Sequence, residues 1–396
     1  MQYRKLGQTG YKVSALGFGA MRLPLIDETI PKKITKDPVF PKVDETESIK
    51  MIRYAIDHGL NYIDTGYFYH GGESEKIVNK ALRDGYREKV KIATKLPVYL
   101  VEKKDDFDLF FDEQSERLQT DKIDFYLLHA LSGLNWPKVR DLGVIQWLER
   151  LLAKGKIGHT GFSFHDTLDP FKKIIDSYDN WSVCQLQYNY MDINDQAGKR
   201  GIEYAASKDM GIIIMEPLRG GQLTKTPPKK ISNLWDSAEK KRSLAEWGLQ
   251  WLWDQEEISV VLSGMSTMDQ VIENISLAKQ SGSGEFTDAD RILIKDVRKA
   301  YKGLRPIPCT SCRYCMPCPN GVDIPGVFNM YNDSRMYEDP KHGIIWYNSP
   351  YGFNQEQRAD KCTRCGTCLA KCPQHIDIPD CLLKAHSEMF VSAMKP

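Results

Sequence analysis

IDFYLLHA (123–130), GVIQWLERLLAKG (143–155) and IGHTGFSF (157–164) are the stretches on which the fold turns. The outer two are short, apolar and bounded by charge or glycine, as buried strands are. The middle one spaces its apolar residues as a helix does and stops on Gly155. The same alternation extends in both directions. VSALGFGAM (13–21), YIDTG (62–66) and VKIATKL (90–96) precede this unit, and VCQLQYN (183–189), GIIIMEPL (211–218) and SVVLSGM (259–265) follow it, which makes eight strands. DETESIKMIRYAIDHG (44–59) is a further amphipathic stretch, with Ile49, Ile52, Ile56 and Leu60 at helical spacing. Eight strands alternating with helical stretches fit a closed (β/α)8 TIM barrel of the α/β class better than an open doubly wound sheet. No G-x-G-x-x-G follows the first strand, which also counts against a Rossmann domain.

The chain has 396 residues, room for two domains at roughly 100 to 200 residues each. Lys plus Arg total 54 against 53 Asp plus Glu, so no charge excess argues for nucleic acid or an anionic membrane as partner. With 41% hydrophobic and 27% charged residues, disorder, collagen and coiled coil are set aside. The opening residues lack an apolar h-region, and no apolar run approaches the roughly 18 residues needed to span a bilayer, so a cytoplasmic location is expected. Only Cys184 precedes residue 309; the other nine cysteines mark a separate module at the C-terminal end. The expected division is a barrel over 1–284, a linking helix over 285–305 opening near Thr287-x-x-Asp290, and a cysteine-bearing domain over 306–396. Two long loops, 24–43 and 222–238, read either as lids over the barrel mouth or as solvated surface.

In such a barrel, reactive residues collect at the C-terminal ends of the strands and in the loops just after them. Asp64 and Tyr69 stand at the end of the second strand, in NYIDTGYFYHGGESE (61–75); Lys95 ends the third and His129 the fourth. Each alone has an ordinary structural use: a half-buried aromatic, a strand-end cation, a satisfied core histidine. Together they form one chemistry. A Lys beside a Tyr lowers the phenol pKa, an Asp holding that Lys keeps it charged, and the Tyr can then protonate a carbonyl oxygen. A neighbouring His can orient the carbonyl or pass the proton.

These residues resemble the aldo/keto reductase family. The likeness runs through the Asp64-x4-Tyr69 segment with its GGESE, ATK (93–95), LLHA (127–130), GKIGHTGFS (155–163) and GMSTMDQVIEN (264–274). The resemblance implies an NAD(P)H-dependent interconversion of carbonyl and alcohol. It makes Tyr69 the general acid, Lys95 and Asp64 the groups that tune it, and His129 the group that orients the substrate. It also implies that Ser163 and Gln185 hold the carboxamide, that Met215 stands where an aromatic commonly stacks on the nicotinamide, and that Gly264, Ser266, Gln270 and Asn274 line the adenosine end. Three departures fall in this cofactor site: Phe164 follows Ser163 where Asn is usual, Met215 is not aromatic, and no Lys or Arg stands in 264–274 to clamp a 2'-phosphate.

Cys309, Cys312, Cys315 and Cys318 are followed by PNGVDIP, and Cys362, Cys365, Cys368 and Cys372 by PQHIDIP, an internal repeat. The second copy has the C-x2-C-x2-C-x3-C-P spacing of bacterial ferredoxins; the first is one residue shorter before its last Cys. In that pattern three thiolates wrap one cubane cluster and the fourth reaches the neighbouring one. Cys309, Cys312, Cys315 and Cys372 are therefore assigned to one 4Fe-4S centre, and Cys362, Cys365, Cys368 and Cys318 to the other. Zinc also takes four thiolates, but usually from paired C-x2-C knuckles. The polar, helix-compatible FNMYNDSRMYED (328–339) between the copies makes the module resemble a small, mainly helical ferredoxin-like domain. Cys184 and Cys381 read as buried thiols without a role.

The expected protein is an oxidoreductase acting on a small carbonyl or alcohol, with NAD(P)H, two 4Fe-4S clusters and a protein electron-transfer partner. A nicotinamide delivers two electrons as hydride whereas a 4Fe-4S centre accepts one, so a flavin in the barrel mouth is an alternative. The others are a non-catalytic electron-transfer or scaffold subunit that retains the barrel, and clusters that only brace the fold.

Overall fold

The structure is a computed structural model, and it describes residues 1–26, 41–282, 286–349 and 352–391. The strands are β1 (Tyr3–Lys5), β2 (Lys12–Ser14), β3 (Leu16–Gly19), β4 (Tyr62–Asp64), β5 (Lys91–Leu96), β6 (Ile123–Leu131), β7 (Ile157–Phe164), β8 (Val183–Gln187), β9 (Gly211–Met215) and β10 (Ile258–Ser263). β3 to β10 are the eight expected strands. They pair in chain order, all parallel, and β10 returns to β3 to close the barrel. Strands buried on both faces need continuous apolar runs, and every residue of β10 is buried.

Tyr62, Phe125, Leu127, Val183, Ile213, Val260 and Leu262 fill the barrel interior. Gly161 is forced by that packing, because a Cβ there would lie 2.2 Å from the Val183 carbonyl oxygen. On the outer face the helices bury their apolar stripes against the strands. Ile52, Ile56 and Leu60 are buried in that layer as their spacing predicts, while Ile49 is half-buried at its edge. Asp44 opens this helix (Glu45–Asp57) by accepting from the Glu47 N–H at 3.0 Å.

The first expected strand, VSALGFGAM, is interrupted at Ala15 into β2 and β3, and β2 pairs antiparallel with β1. A three-residue strand reading Tyr-Arg-Lys has no apolar pattern to reveal it. Its place is set by barrel closure: Leu6 and Val13, at the two arms of the hairpin, are fully buried in the interior cluster, and Leu6 packs on Gly211 where β9 begins.

By their contacts, the residues from Asp290 onward form a second compact unit, joined by Thr226–Lys241. The expected boundary at 284 lies outside the described residues, as does 27–40 of the loop expected over 24–43. The loop expected over 222–238 holds a 3-10 turn, Arg219–Thr224, and a helix, Lys229–Asp236. The stretch expected as a linking helix over 285–305 is helical over Asp288–Lys302, and from Asp290 it is counted within the second unit. Among the described residues no helix is long and apolar enough to cross a membrane.

The second unit is mainly helical, with helices Ile324–Met336, Pro340–Asn348 and Ile378–Met389 around a core that includes Val327, Phe328, Tyr331, Tyr347 and Leu382. Its sequence repeat is also a repeat of shape. After each Cys-Pro the chain passes through the left-handed region, at Gly321 (φ 76°) and at His375 (φ 50°), and then opens a helix on Asp-Ile-Pro. The side chain of the buried Asn332 pins the entry to this unit. Its Oδ1 accepts from Ile307 N–H at 3.0 Å and its Nδ2 donates to Ile307 O at 2.8 Å.

Asn332→Leu keeps the volume but leaves both backbone groups of Ile307 buried and unpaired, a cost of about 1–3 kcal/mol for each. Thermal unfolding followed by circular dichroism should show the second unit melting earlier, while a barrel substrate or ligand response is retained.

Candidate functional site

The Lys95 ammonium is 1% exposed, and a buried ammonium must place all its protons. Lys95 finds three acceptors: Asp64 Oδ1 at 2.6 Å, Thr65 O at 2.6 Å and Tyr69 OH at 3.3 Å. Asp64 ends β4, and Tyr69 is brought back over the strand end by a turn whose His70 (φ 54°) and Gly71 (φ 67°) reverse the chain into the helix Glu73–Ala81. His129 arrives from β6 at a slip in the ladder between Leu128 and Leu131, where Ala130 takes a φ of 52°. Its ring meets Tyr69 edge to face at 5.8 Å, stacks on Phe68 at 5.5 Å and meets Tyr99 at 6.2 Å. The four residues read from strand ends are thus brought together.

Their electrostatics differ from the expectation in one respect. Burial holds the Tyr69 phenol above its ordinary value, and the Lys95 charge is the largest influence acting against it. Lys95 therefore limits the rise without producing a net fall, because a phenolate inside the protein loses more solvation than one cation restores. Burial presses Lys95 toward neutrality, and the Asp64 carboxylate overcomes it, leaving the ammonium above its usual range. Burial, with the Lys95 and His165 charges adding, takes His129 well below the ordinary histidine value, so the imidazole is neutral.

A second layer fixes this constellation. Fully buried Glu75 accepts from Thr94 Oγ1 and Gln114 Nε2, both at 2.6 Å, and meets Arg117 at 3.3 Å. Gln114 also donates to Lys95 O at 3.2 Å, and Arg117 to Tyr67 O at 2.8 Å. The carboxylate thereby ties the backbone on either side of the Lys95–Tyr69 contact to two helices. Glu75 belongs to the GGESE segment, but that segment alone does not reveal the network.

Of the residues expected to hold a cofactor, Ser163, near the end of β7, and Gln185, midway along β8, are register partners. Ser163 Oγ accepts from Ala130 N–H at 2.7 Å, and Gln185 lies beside Asp64 with its Oε1 buried and without a partner. His129 Nδ1 is likewise buried and unpaired. Orphaned polar atoms at a barrel mouth fit a ligand carrying amide and carbonyl groups. Phe164 is fully buried and packs on Phe171 at 5.1 Å. Met215 ends β9, half-buried. After β10, Gln270 Oε1 accepts from Ser266 N–H at 2.8 Å, Asn274 Nδ2 donates to Ser263 Oγ at 3.0 Å, and Gly264 packs against Arg22. Sequence reading missed His165, Glu216 and Arg22. The first two are recognisable only as the residues just beyond a strand end, and Arg22 lies at the far end of the chain from the segment it touches.

In the second unit the cysteines border two cavities. Cys309, Cys312, Cys315 and Cys372 line one; Cys318, Cys362, Cys365 and Cys368, with Cys315 again, line the other. The last cysteine of each repeat thus lines the cavity of the other copy. Among the described residues no three Cys, His, Asp or Glu side chains close on a single ion. Burial, with neighbouring thiols adding, pushes Cys315 up to about 11. Burial raises Cys309 and Cys368 as well, whereas hydrogen bonding with Thr367 lowers Cys365; a cationic iron–sulfur core would favour the thiolate in all of them. Positive φ values recur at matched positions in the two loops, Ser311 and Arg313 in one, Arg364 and Gly366 in the other. Cys184 is buried as expected, whereas Cys381 is only half-buried.

Residues 15–292 match the aldo/keto reductase family, and residues 308–376 match a 4Fe-4S dicluster domain. This chain belongs to the aldo/keto reductase family. It is an oxidoreductase of that family with a C-terminal 4Fe-4S domain. It is 32% identical over 301 residues to the L-galactose dehydrogenase of Arabidopsis thaliana, covering 70% of this chain and 88% of that protein. It is 25% identical over 293 residues to the NADH-specific methylglyoxal reductase of Escherichia coli, covering 62% and 85%. Among solved structures, aldo-keto reductase AKR11C1 from Bacillus halodurans in its holo form superposes with a TM-score of 0.60 at 25% identity, over 75% of this chain and 96% of that one.

For this aldo/keto reductase, the neutral histidine has a measurable consequence. Below about pH 6.5 the unfolded chain takes up a proton at His129 that the folded protein refuses, so stability is lost as pH falls through that value. His70, His159 and His165, also lowered chiefly by burial, act in the same direction. The Tm should drop between pH 7 and pH 5.5, and His129→Asn should make the drop shallower.

Proposed function

We propose that the barrel, over residues 1–284, interconverts a small carbonyl compound and its alcohol with a nicotinamide cofactor, and that residues 306–396 exchange electrons with a partner protein through two 4Fe-4S clusters. The observation that carries the first half is the Lys95 ammonium touching both Asp64 and Tyr69 beside a neutral His129. A reduced nicotinamide, when bound, supplies hydride to the carbonyl carbon. Tyr69 OH delivers the balancing proton to the carbonyl oxygen. Lys95 stabilises the phenolate left behind, and Asp64 keeps Lys95 charged. His129, with one N–H and no positive charge, donates a hydrogen bond to the same oxygen without competing as an acid. Gln185 Oε1 can accept from the cofactor's carboxamide, and Gly264, Ser266, Gln270 and Asn274 border its adenosine end.

The second half rests on the two cavities lined by crossed sets of cysteines. Each set of four thiolates holds one cluster, with Cys372 completing the set begun by Cys309 and Cys318 the set begun by Cys362. A flavin in the barrel mouth is the second reading. The half-buried thioether of Met215, where an aromatic commonly stacks, and the two-electron to one-electron mismatch favour it.

Tyr69→Phe should lower kcat by on the order of 10² or more with little change in cofactor affinity, tested across a panel of aldehydes and ketones. Unchanged turnover removes the assigned acid. Anaerobic protein should contain about eight irons and eight labile sulfides. Cys372→Ala should perturb the electron paramagnetic resonance signal of one cluster and leave the other. An acid extract carrying stoichiometric flavin would replace the nicotinamide reading.

A further inference from the structure

The order of strands around the barrel fixes the path of a dinucleotide if the reading above holds. Ser163 and Gln185 are paired on β7 and β8, and Gly264 to Asn274 follow β10, with β9 between them. A molecule whose nicotinamide lies at the first pair and whose adenosine lies at the second must carry its diphosphate across the ends of β9 and β10. That diphosphate is doubly charged, and the segment after β10 offers no cation to it.

A cation reaches the crossing from elsewhere. Arg22 follows β3, which is the other neighbour of β10 in the closed barrel. Its stem runs over Gly264, where a Cβ would meet Arg22 Cβ, Cγ and Cδ at 3.2 to 3.3 Å. Its tip ends at Gly220, in the turn after β9, where a Cβ would lie 2.9 Å from Nη2. Two glycines therefore clear the channel in which this side chain lies. Ser266 Oγ donates to Arg22 O at 3.0 Å and holds the backbone in register. A second cation near this rim, Arg219, is engaged by Asp192 at 2.7 Å. Arg22 is exposed and has no ion pair among the described residues; its charged neighbour on this rim is Glu216.

We propose that Arg22 binds the diphosphate of the dinucleotide cofactor and so supplies, from the loop after β3, the positive charge missing after β10. This rests on the nicotinamide reading. A guanidinium is suited to the task because it pairs with two phosphate oxygens at once and stays charged.

The test is equilibrium binding of NADH, NADPH and ADP-ribose to the full-length holoprotein, by fluorescence or calorimetry, at two salt concentrations. Arg22→Gln should weaken all three by a similar factor, on the order of tenfold or more, and flatten the salt dependence, while Arg22→Lys recovers part of the loss. Circular dichroism and iron content should be unchanged. A loss confined to NADPH would overturn the proposal in favour of a 2'-phosphate contact, and no loss in any of the three would overturn it outright. Recovery of affinity on adding Glu216→Gln to Arg22→Gln would show that Arg22 only balances that carboxylate, which also overturns it. If the wild-type protein binds none of the three, the nicotinamide reading fails, and this inference with it.

Discussion

A charged amine with almost no exposure survives inside a protein only when every proton has an acceptor and a carboxylate neutralises it. Lys95 meets both conditions, and much of the barrel mouth is arranged around meeting them. Asp64 and Lys95 come from adjacent parallel strands whose register sets Asp64 opposite Ala93, and the 64–69 turn adds a carbonyl and a phenol. Glu75, Thr94, Gln114 and Arg117 then lock the backbone behind them. Such a pair is a poor stabilising device, since hydrophobic side chains of similar volume would commonly do as well. Under the proposed reaction its presence at the mouth has a use: it would hold a positive charge beside a phenol left negative by proton transfer.

The same logic of uncompensated charge governs the second unit. Thiols brought close together and partly buried resist ionisation, as Cys309, Cys315 and Cys368 do. The fold nonetheless places them around two cavities and repeats the arrangement. In each copy a loop with residues at positive φ precedes Cys-Pro, and a helix then opens on Asp-Ile-Pro. Binding of a cationic iron–sulfur core would therefore be linked to the folding of these loops, because the core would supply the charge that lets the thiolates form.

Composition, strand count and the two cysteine repeats were legible before any coordinates. A strand buried on both faces has to be an apolar run, a crossover helix has to be amphipathic, and cluster ligands have to be cysteines at short fixed spacings. Asp64, Tyr69, Lys95 and His129 were legible for the same reason: barrel topology puts strand ends on one rim, so position along each strand is already position in the site. The repeat spacing pairs Cys372 with the first copy and Cys318 with the second, and each of these cysteines does line the other copy's pocket.

What the sequence could not carry was anything settled by a balance of opposed effects or by closure of the chain on itself. Proximity of Lys95 argued for a lowered Tyr69 phenol; burial, which depends on everything packed around it, outweighs that. The hairpin of β1 and β2 has no pattern of its own, since the barrel end it covers exists only once eight strands have closed. Arg22 is a single exposed charge in the sequence, and it meets Gly264 only because β10 pairs with β3. Local periodicity and ligand spacing are properties of the chain and can be read along it. The sign of a pKa shift and the identity of a neighbour more than two hundred residues away are properties of the enclosed volume, and only the tertiary structure decides them.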